Sequence, residues 1–266
     1  MVKPYNNRWE KSFSAAKTLS SALVCMPGVV GILAVGGLAR KEMDDFADTD
    51  INIFVEEAEY LNWLGQKYCP VDDQTLNGVW IDLKVFNYQS EMILPWSIER
   101  RQERSRALIL FDKNNKIKKL LQIKNRWHHG EKDQLIRKLV HRTNWYIQEV
   151  AYVSLKRKDL MQAHYCLNQA LDWILDYCYV SKGAFVPFGK WKMALIKKNK
   201  LVEDKILMKL KQFMYLRSMT SKDVHSRIKF GVDLLKLLEI FEPLELFGDQ
   251  KMYKALYHHH QRTQKL

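Results

Sequence analysis

The chain is 266 residues long, which suits one large domain or two modest ones. With 47% hydrophobic and 27% charged residues it is too apolar to be disordered, and no apolar run approaches the ~20 residues of a membrane helix. The net charge of +13 is uneven, with 12 Lys/Arg against 16 Asp/Glu in residues 1–112 and 31 against 14 in residues 113–266. An acidic front half joined to a basic back half points to two domains and a polyanionic ligand: a nucleoside triphosphate, a nucleic acid or an acidic membrane surface. Solvation of helices by lysine is the plainer account of the same excess.

Residues 1–8 lead into charged residues rather than an apolar segment, so no secretory signal is expected. Apolar residues at Trp9, Phe13, Ala16, Leu19 and Leu23 predict a helix over 8–23. Met26-Pro27-Gly28 stops it. The β-branched run 29–35 predicts a buried strand that enters a tight turn at Gly36-Gly37, followed by a short helical stretch. Strands are also predicted over 50–55, 79–86 and 107–111, the last closed by the turn formers at 112–115. Beyond residue 113 no comparable strand occurs. Helical spacing marks 133–156, 160–180, 190–198, 203–216 and 223–241, so an antiparallel bundle is expected. Cys25, Cys69, Cys166 and Cys178 have no paired spacing, and Cys166 and Cys178 fall in helical apolar patterns, so a reduced, cytoplasmic protein is expected. His258, His259 and His260 form a short run that reads as a solvated helix end rather than a metal site.

One constellation carries chemistry. A strand ends in Gly36-Gly37, where backbone amides can face an anion without an intervening Cβ. Asp48 and Asp50 then open the next strand, where residues i and i+2 share a face. Two carboxylates on one face repel unless a cation lies between them, and Mg²⁺ prefers such oxygens. Asp82 sits in an apolar strand between Ile81 and Leu83, where a charge is costly without a partner. If the two strands are neighbours, three carboxylates converge as a two-metal displacement at phosphorus requires.

Residues 36–51 resemble the signature of the nucleotidyltransferase superfamily that includes DNA polymerase beta: Gly-Ser, a short spacer, Asp-x-Asp on the next strand and a later strand Asp. Gly36, Arg40, Glu42, Asp48 and Asp50 match without a gap, and Asp82 falls at the third carboxylate. Gly37 stands in the Ser position, Lys41 where Gly is common, and Ala47 where Ser is common. More weakly, residues 106–112 with the basic stretch after them, and Pro187-Phe188-Gly189-Lys190-Trp191, are similar to aminoglycoside- and lincosamide-type nucleotidyltransferases.

The resemblance implies an α+β fold, with a mixed-sheet catalytic domain over 1–125 and an all-α helical bundle over 126–266 that hold the substrate between them. It implies metal ligation by Asp48, Asp50 and Asp82, with two Mg²⁺ ions, and nucleotide contacts from Gly36, Gly37 and Arg40; Lys41, a departure from the pattern, is a further candidate phosphate contact. Lys190, at the expected start of a helix in the basic half, is the candidate phosphate contact opposite the metals. Glu149 is the candidate general base, because it is the only acidic residue of its predicted helix after Asp133 and is flanked by Ile147, Val150 and Val153.

The expected function is Mg²⁺-dependent transfer of a nucleoside monophosphate, AMP from ATP in the simplest case, to a hydroxyl of a small acceptor, with release of pyrophosphate. A cationic antibiotic would suit an acidic pocket, and Glu56, Glu57 and Glu59 lie just beyond the Asp strand, although an exposed acidic loop accounts for them equally well. The same chemistry could modify a protein hydroxyl or an RNA end, and a degenerate, non-catalytic nucleotide binder is a further alternative. In a different class stands a nucleic-acid-binding module that stacks bases on Trp127, Trp145, Tyr146, Trp191 and Tyr215, whose spacing fits helix-core positions better. No membrane partner is expected, and the oligomeric state is left open.

Overall fold

The computed structural model of the chain describes residues 6–65, 74–215 and 218–244. Residues 1–5, Cys69, the end of the helix expected over 203–216 and the histidines at 258–260 lie outside them. Two compact units divide the chain, Met1–Trp127 and His128–Leu266. The fold is α+β, with a mixed five-stranded sheet in the first unit and helices in the second.

In the first unit α1 (Asn6–Leu23) precedes β1 (Val29–Ala34), whose six residues are all buried. The turn expected at Gly36-Gly37 is the opening of a short helix, α2 (Gly36–Arg40), which closes on Lys41 in the left-handed conformation at φ 59°. β2 (Thr49–Val55) and α3 (Glu57–Leu64) follow. β3 (Gln74–Leu76) and β4 (Val79–Asn87) form a hairpin across Asn77 and Gly78, both at positive φ, as a two-residue type I′ turn requires. Then come α4 (Tyr88–Ile93), α5 (Ile98–Arg104), β5 (Leu108–Asp112) and α6 (Lys116–Lys124).

The strand order is β3-β4-β2-β1-β5. β1 runs antiparallel to β2 and β5, whereas β2 and β4 are parallel and pair Asp50 with Asp82 and Asn52 with Lys84. Each face of the sheet has its own core. One packs Ala15, Ala16 and Leu23 of α1 against Ile32, Ile51, Ile53 and Ile81. The other packs Leu33 and Phe54 against Trp96 and, from α6, Ile117 and Leu120. Because strand side chains alternate, Asp50 and Asn52 share the face of Phe54, and Asp82 and Lys84 share that of Phe86.

In the second unit the helix expected over 133–156 is three segments: α7 (Glu131–Trp145), a π-helical turn over Tyr146–Val150, and α8 (Ala151–Lys156). α9 (Leu160–Val180) packs on α7 and α8. A 3₁₀ turn, Gly189–Trp191, leads into α10 (Lys192–Lys198), followed by α11 (Asp204–Met214) and α12 (Ser221–Leu237). Gly231 lets α12 approach Ile147 and Phe213, since a Cβ there would lie 3.0 Å from each. The buried Asn144 amide donates to the carbonyls of Val140 and Ile240 and accepts from Gln148 and from the Glu242 amide. These bonds tie the π-turn to the segment after α12. Among the described residues no helix is long and apolar enough to cross a membrane.

Candidate metal centre

Parallel pairing of β2 and β4 brings Asp50 and Asp82 side by side, and Asp48 enters from the residue before β2. One carboxylate oxygen from each of the three lies within 4.8 Å of the others. The cluster expected from the sequence is therefore assembled on one face of the sheet, at the start of its central strand β2. Its donors are carboxylate oxygens alone, the set a hard divalent cation such as Mg²⁺ takes.

Glycine is required beside it. Gly36 has φ +61°, and a Cβ there would stand 2.1 Å from Asp50 Oδ2. The backbone thus approaches the carboxylate more closely than any side chain allows. A Cβ at Gly37 is already tight, at 2.9 Å from the Glu42 carbonyl oxygen and 3.1 Å from Met43 Sδ. The Gly37 position leaves little room for the serine of the signature that residues 36–51 resemble.

Asp50 is the strained member. Burial first, and then the charge of Asp48, push its carboxyl up to about 6, against the pull of Lys84; Asp82 and Glu103 add to the rise. Like charges at this spacing make cation binding favourable by the amount their repulsion costs. Lys84 Nζ lies 2.8 Å from Asp82 Oδ2 and 3.8 Å from Asp50 Oδ1. Burial lowers the affinity of that amine for its proton, but the hydrogen bond to Asp82 and the charges of Asp82, Asp50 and Glu103 outweigh it, so its pKa is raised. Asn52 is fully buried on the same face with no partner at Oδ1 or Nδ2.

The approaches to the cluster are held from α1. Arg8 donates to the carbonyl of Ala47, just before Asp48, at 3.4 Å and to that of Gly78, just before β4, at 3.3 Å. Trp9 Nε1 donates to the Leu38 carbonyl at 2.9 Å. The other expected residues of this unit are placed as follows. Arg40 pairs with Glu42 at 2.9 Å, and the Lys41 ammonium lies 5.3 Å from the Trp9 ring centre. Glu56, Glu57 and Glu59 stand at the opposite end of β2 from Asp50, with Glu56 paired to Lys116 at 3.3 Å, so they are not a wall of this cluster. A cavity of about 320 Å³ between α1 and β5, lined by Phe13, Lys17 and Leu108 among others, holds none of the three aspartates.

In the second unit Glu149 is half-buried on the π-turn, and Lys190 is exposed on the 3₁₀ turn with its ammonium 5.7 Å from the Trp191 ring centre. The buried lysine of that segment is Lys192, paired with Asp172 and Asp176. The helix-core reading of the aromatics is corrected at Trp145, Trp191 and Tyr215, all of them exposed. Cys166 and Cys178 are buried as expected, and burial pushes the Cys178 thiol up to about 12.

Reading the sequence missed Lys84, Asn52 and Glu103. The first two carried a signal, since each lies two residues beyond an aspartate of the cluster on a strand. Glu103 carried none.

No protein-family model matches the chain, and no curated protein matches it. Among solved structures, a nucleotidyltransferase-like protein from Exiguobacterium sibiricum is similar over 84% of this chain and 74% of that one, at 16% identity and a TM-score of 0.49.

Proposed function

We propose that the chain is a Mg²⁺-dependent nucleotidyltransferase that moves AMP from ATP to a hydroxyl of a small acceptor and releases pyrophosphate. The observation that supports this reading best is the convergence of Asp48, Asp50 and Asp82 within 4.8 Å, beside Gly36 at φ +61°, where a Cβ would stand 2.1 Å from Asp50 Oδ2. When bound, the cation supplies charge neutralisation of the triphosphate and a lowered pKa for the attacking hydroxyl. The protein's share is positioning and electrostatics. The three aspartates hold the cation, and Gly36 and Gly37 offer backbone to the phosphates. In the proposal Arg40, Lys41 and the exposed Lys190 bind phosphate oxygens, and Glu149 takes the proton of the acceptor hydroxyl. An antibiotic is one acceptor class that the resemblance suggests.

One observation favours a second reading. Trp145, Trp191 and Tyr215 are exposed in the basic half of the chain, where they could stack unpaired bases, so an RNA end is the alternative acceptor. The deciding experiment incubates the protein with Mg²⁺ and each nucleoside triphosphate against aminoglycosides, lincosamides, proteins and RNAs. It reads pyrophosphate release and a mass gain of one nucleoside monophosphate on the acceptor. Gain on a small molecule supports the first reading and gain on RNA the second. Release of no pyrophosphate with any acceptor or nucleotide rejects both.

A further inference from the structure

The carboxylate cluster already contains a cation of the chain itself. Lys84 leaves the same face of β4 as Asp82, two residues on, and its ammonium reaches toward both Asp82 at 2.8 Å and Asp50 at 3.8 Å. The ammonium thus stands within reach of oxygens from two of the three carboxylates, where a cation shared by Asp50 and Asp82 would otherwise sit. The charge count agrees: three carboxylates less one ammonium leave two negative charges, the complement of a single divalent ion. Asn52 is an independent sign that the cluster expects a ligand. It is the register partner of Lys84, shares the face of Asp50, and is 1% exposed with both amide atoms unpartnered. A buried amide left without a partner calls for one, and a water bound to a cation in the cluster would supply it.

The geometry points to Lys84 as a resident counter-cation that fills one of the two cation positions until a triphosphate arrives. The inference rests on the metal-dependent reading above. In the nucleotide-free protein the aspartates take one divalent ion, and Lys84 completes the charge at Asp82. Lys84 yields its position only to a nucleotide that brings its own cation. Its side chain is 48% exposed, and its flexible stem lets the ammonium turn outward. Lys84 is thus a positioning residue that ties occupancy of the second site to nucleotide binding and limits idle metal loading.

The test is a titration of the full-length protein with Mn²⁺ alone, with free ion read by electron paramagnetic resonance. Wild type should bind one ion per chain, and two when the α,β-methylene analogue of ATP is added. Lys84→Met keeps the stem and removes the charge. It should bind two ions without nucleotide, or one at least about tenfold more tightly. Lys84→Arg should behave as wild type. Thermal unfolding of each variant checks folding, and Lys84→Gln replaces Lys84→Met if that variant does not fold. Two ions on nucleotide-free wild type would overturn the inference. So would a Lys84→Met protein with unchanged stoichiometry and affinity, and if Asp50→Asn then abolishes binding, the metal site survives and only the role of Lys84 falls. A wild type that binds no Mn²⁺ at all overturns the metal-dependent reading together with the inference.

Discussion

Asp50 shows how a single residue stores the cost of a binding site. Its carboxyl is raised from the ordinary 3.8 to about 6. The folded state therefore holds the Asp50 proton more tightly than the unfolded chain. This contribution to stability is present below the unfolded value and is lost as pH rises from about 4 to about 6. The shift corresponds to about 2–3 kcal/mol withheld from the metal-free protein at neutral pH. Asp50→Asn should raise the metal-free unfolding free energy at pH 7 by roughly that amount and flatten its slope between about pH 4 and 6, as urea melts across pH would show. Asp48→Asn and Asp50→Asn should each abolish nucleotidyl transfer with the fold retained. Wild-type turnover in either would reject the metal assignment. Gly36→Ala should be worse than either for the fold, because it adds a left-handed alanine and pushes a methyl into Asp50 Oδ2. Circular dichroism with Mn²⁺ titration would show lost binding even where the variant folds.

At the scale of elements, the sheet face that carries the cluster is covered at its other end by α5. Arg104 is buried there, with its guanidinium 4.4 Å from the Phe86 ring centre, 4.5 Å from that of Trp96 and 5.1 Å from that of Phe54. It pairs with Glu91 of α4 at 2.6 Å, and Arg100 reaches the other oxygen of Glu91 at 3.0 Å. Removing Arg104 leaves Glu91 with only the half-exposed Arg100 as partner and empties the space between three aromatic rings, so Arg104→Met should cost about 2–4 kcal/mol in urea unfolding. The double variant Arg104→Met, Glu91→Gln should recover part of that loss. Recovery by the second substitution would separate the charge effect from lost packing. The cluster depends on this cap because Phe54 and Phe86 are the next same-face residues after Asn52 and Lys84 on β2 and β4. Displacing α5 would also move Glu103, whose charge bears on both Asp50 and Lys84.

The whole molecule is two units, and the proposal divides the chemistry between them. Residues 1–127 hold the complete carboxylate cluster and both sheet cores. Expressed alone, they should fold and bind Mn²⁺ but transfer no nucleotide, which dialysis and a transfer assay would establish. Glu149→Gln in the full chain should lower turnover by roughly 10²–10⁴-fold with triphosphate binding preserved if Glu149 is the base. Lys190→Ala should weaken triphosphate binding and leave Mn²⁺ binding unchanged. Unaltered turnover in the first, or unaltered triphosphate affinity in the second, would remove that residue from the proposal.

Local pattern alone determined much of this. The β-branched run at 29–35, the alternation at 50–55 and 79–86, and the helical spacing after residue 130 each reflect one face turned to a core, and a face is set by residues close in sequence. The glycines and the paired aspartates were legible for the same reason, since i and i+2 on a strand need no tertiary partner to share a face. Short polar elements were not legible. α5, Ile98–Arg104, has a single apolar residue, and it is held down by buried arginines whose partners lie on other elements. The π-turn at Tyr146–Val150 is likewise tied to residues 240–242, nearly a hundred positions away. The register that sets Asp50 beside Asp82, and so draws Lys84 toward both, comes from a parallel pairing of strands about thirty residues apart. Composition and spacing could supply the ligands of the cluster. Only long-range strand pairing decided their distances, their shared field and the lysine placed among them, because Coulomb interactions depend on separation in space and not along the chain.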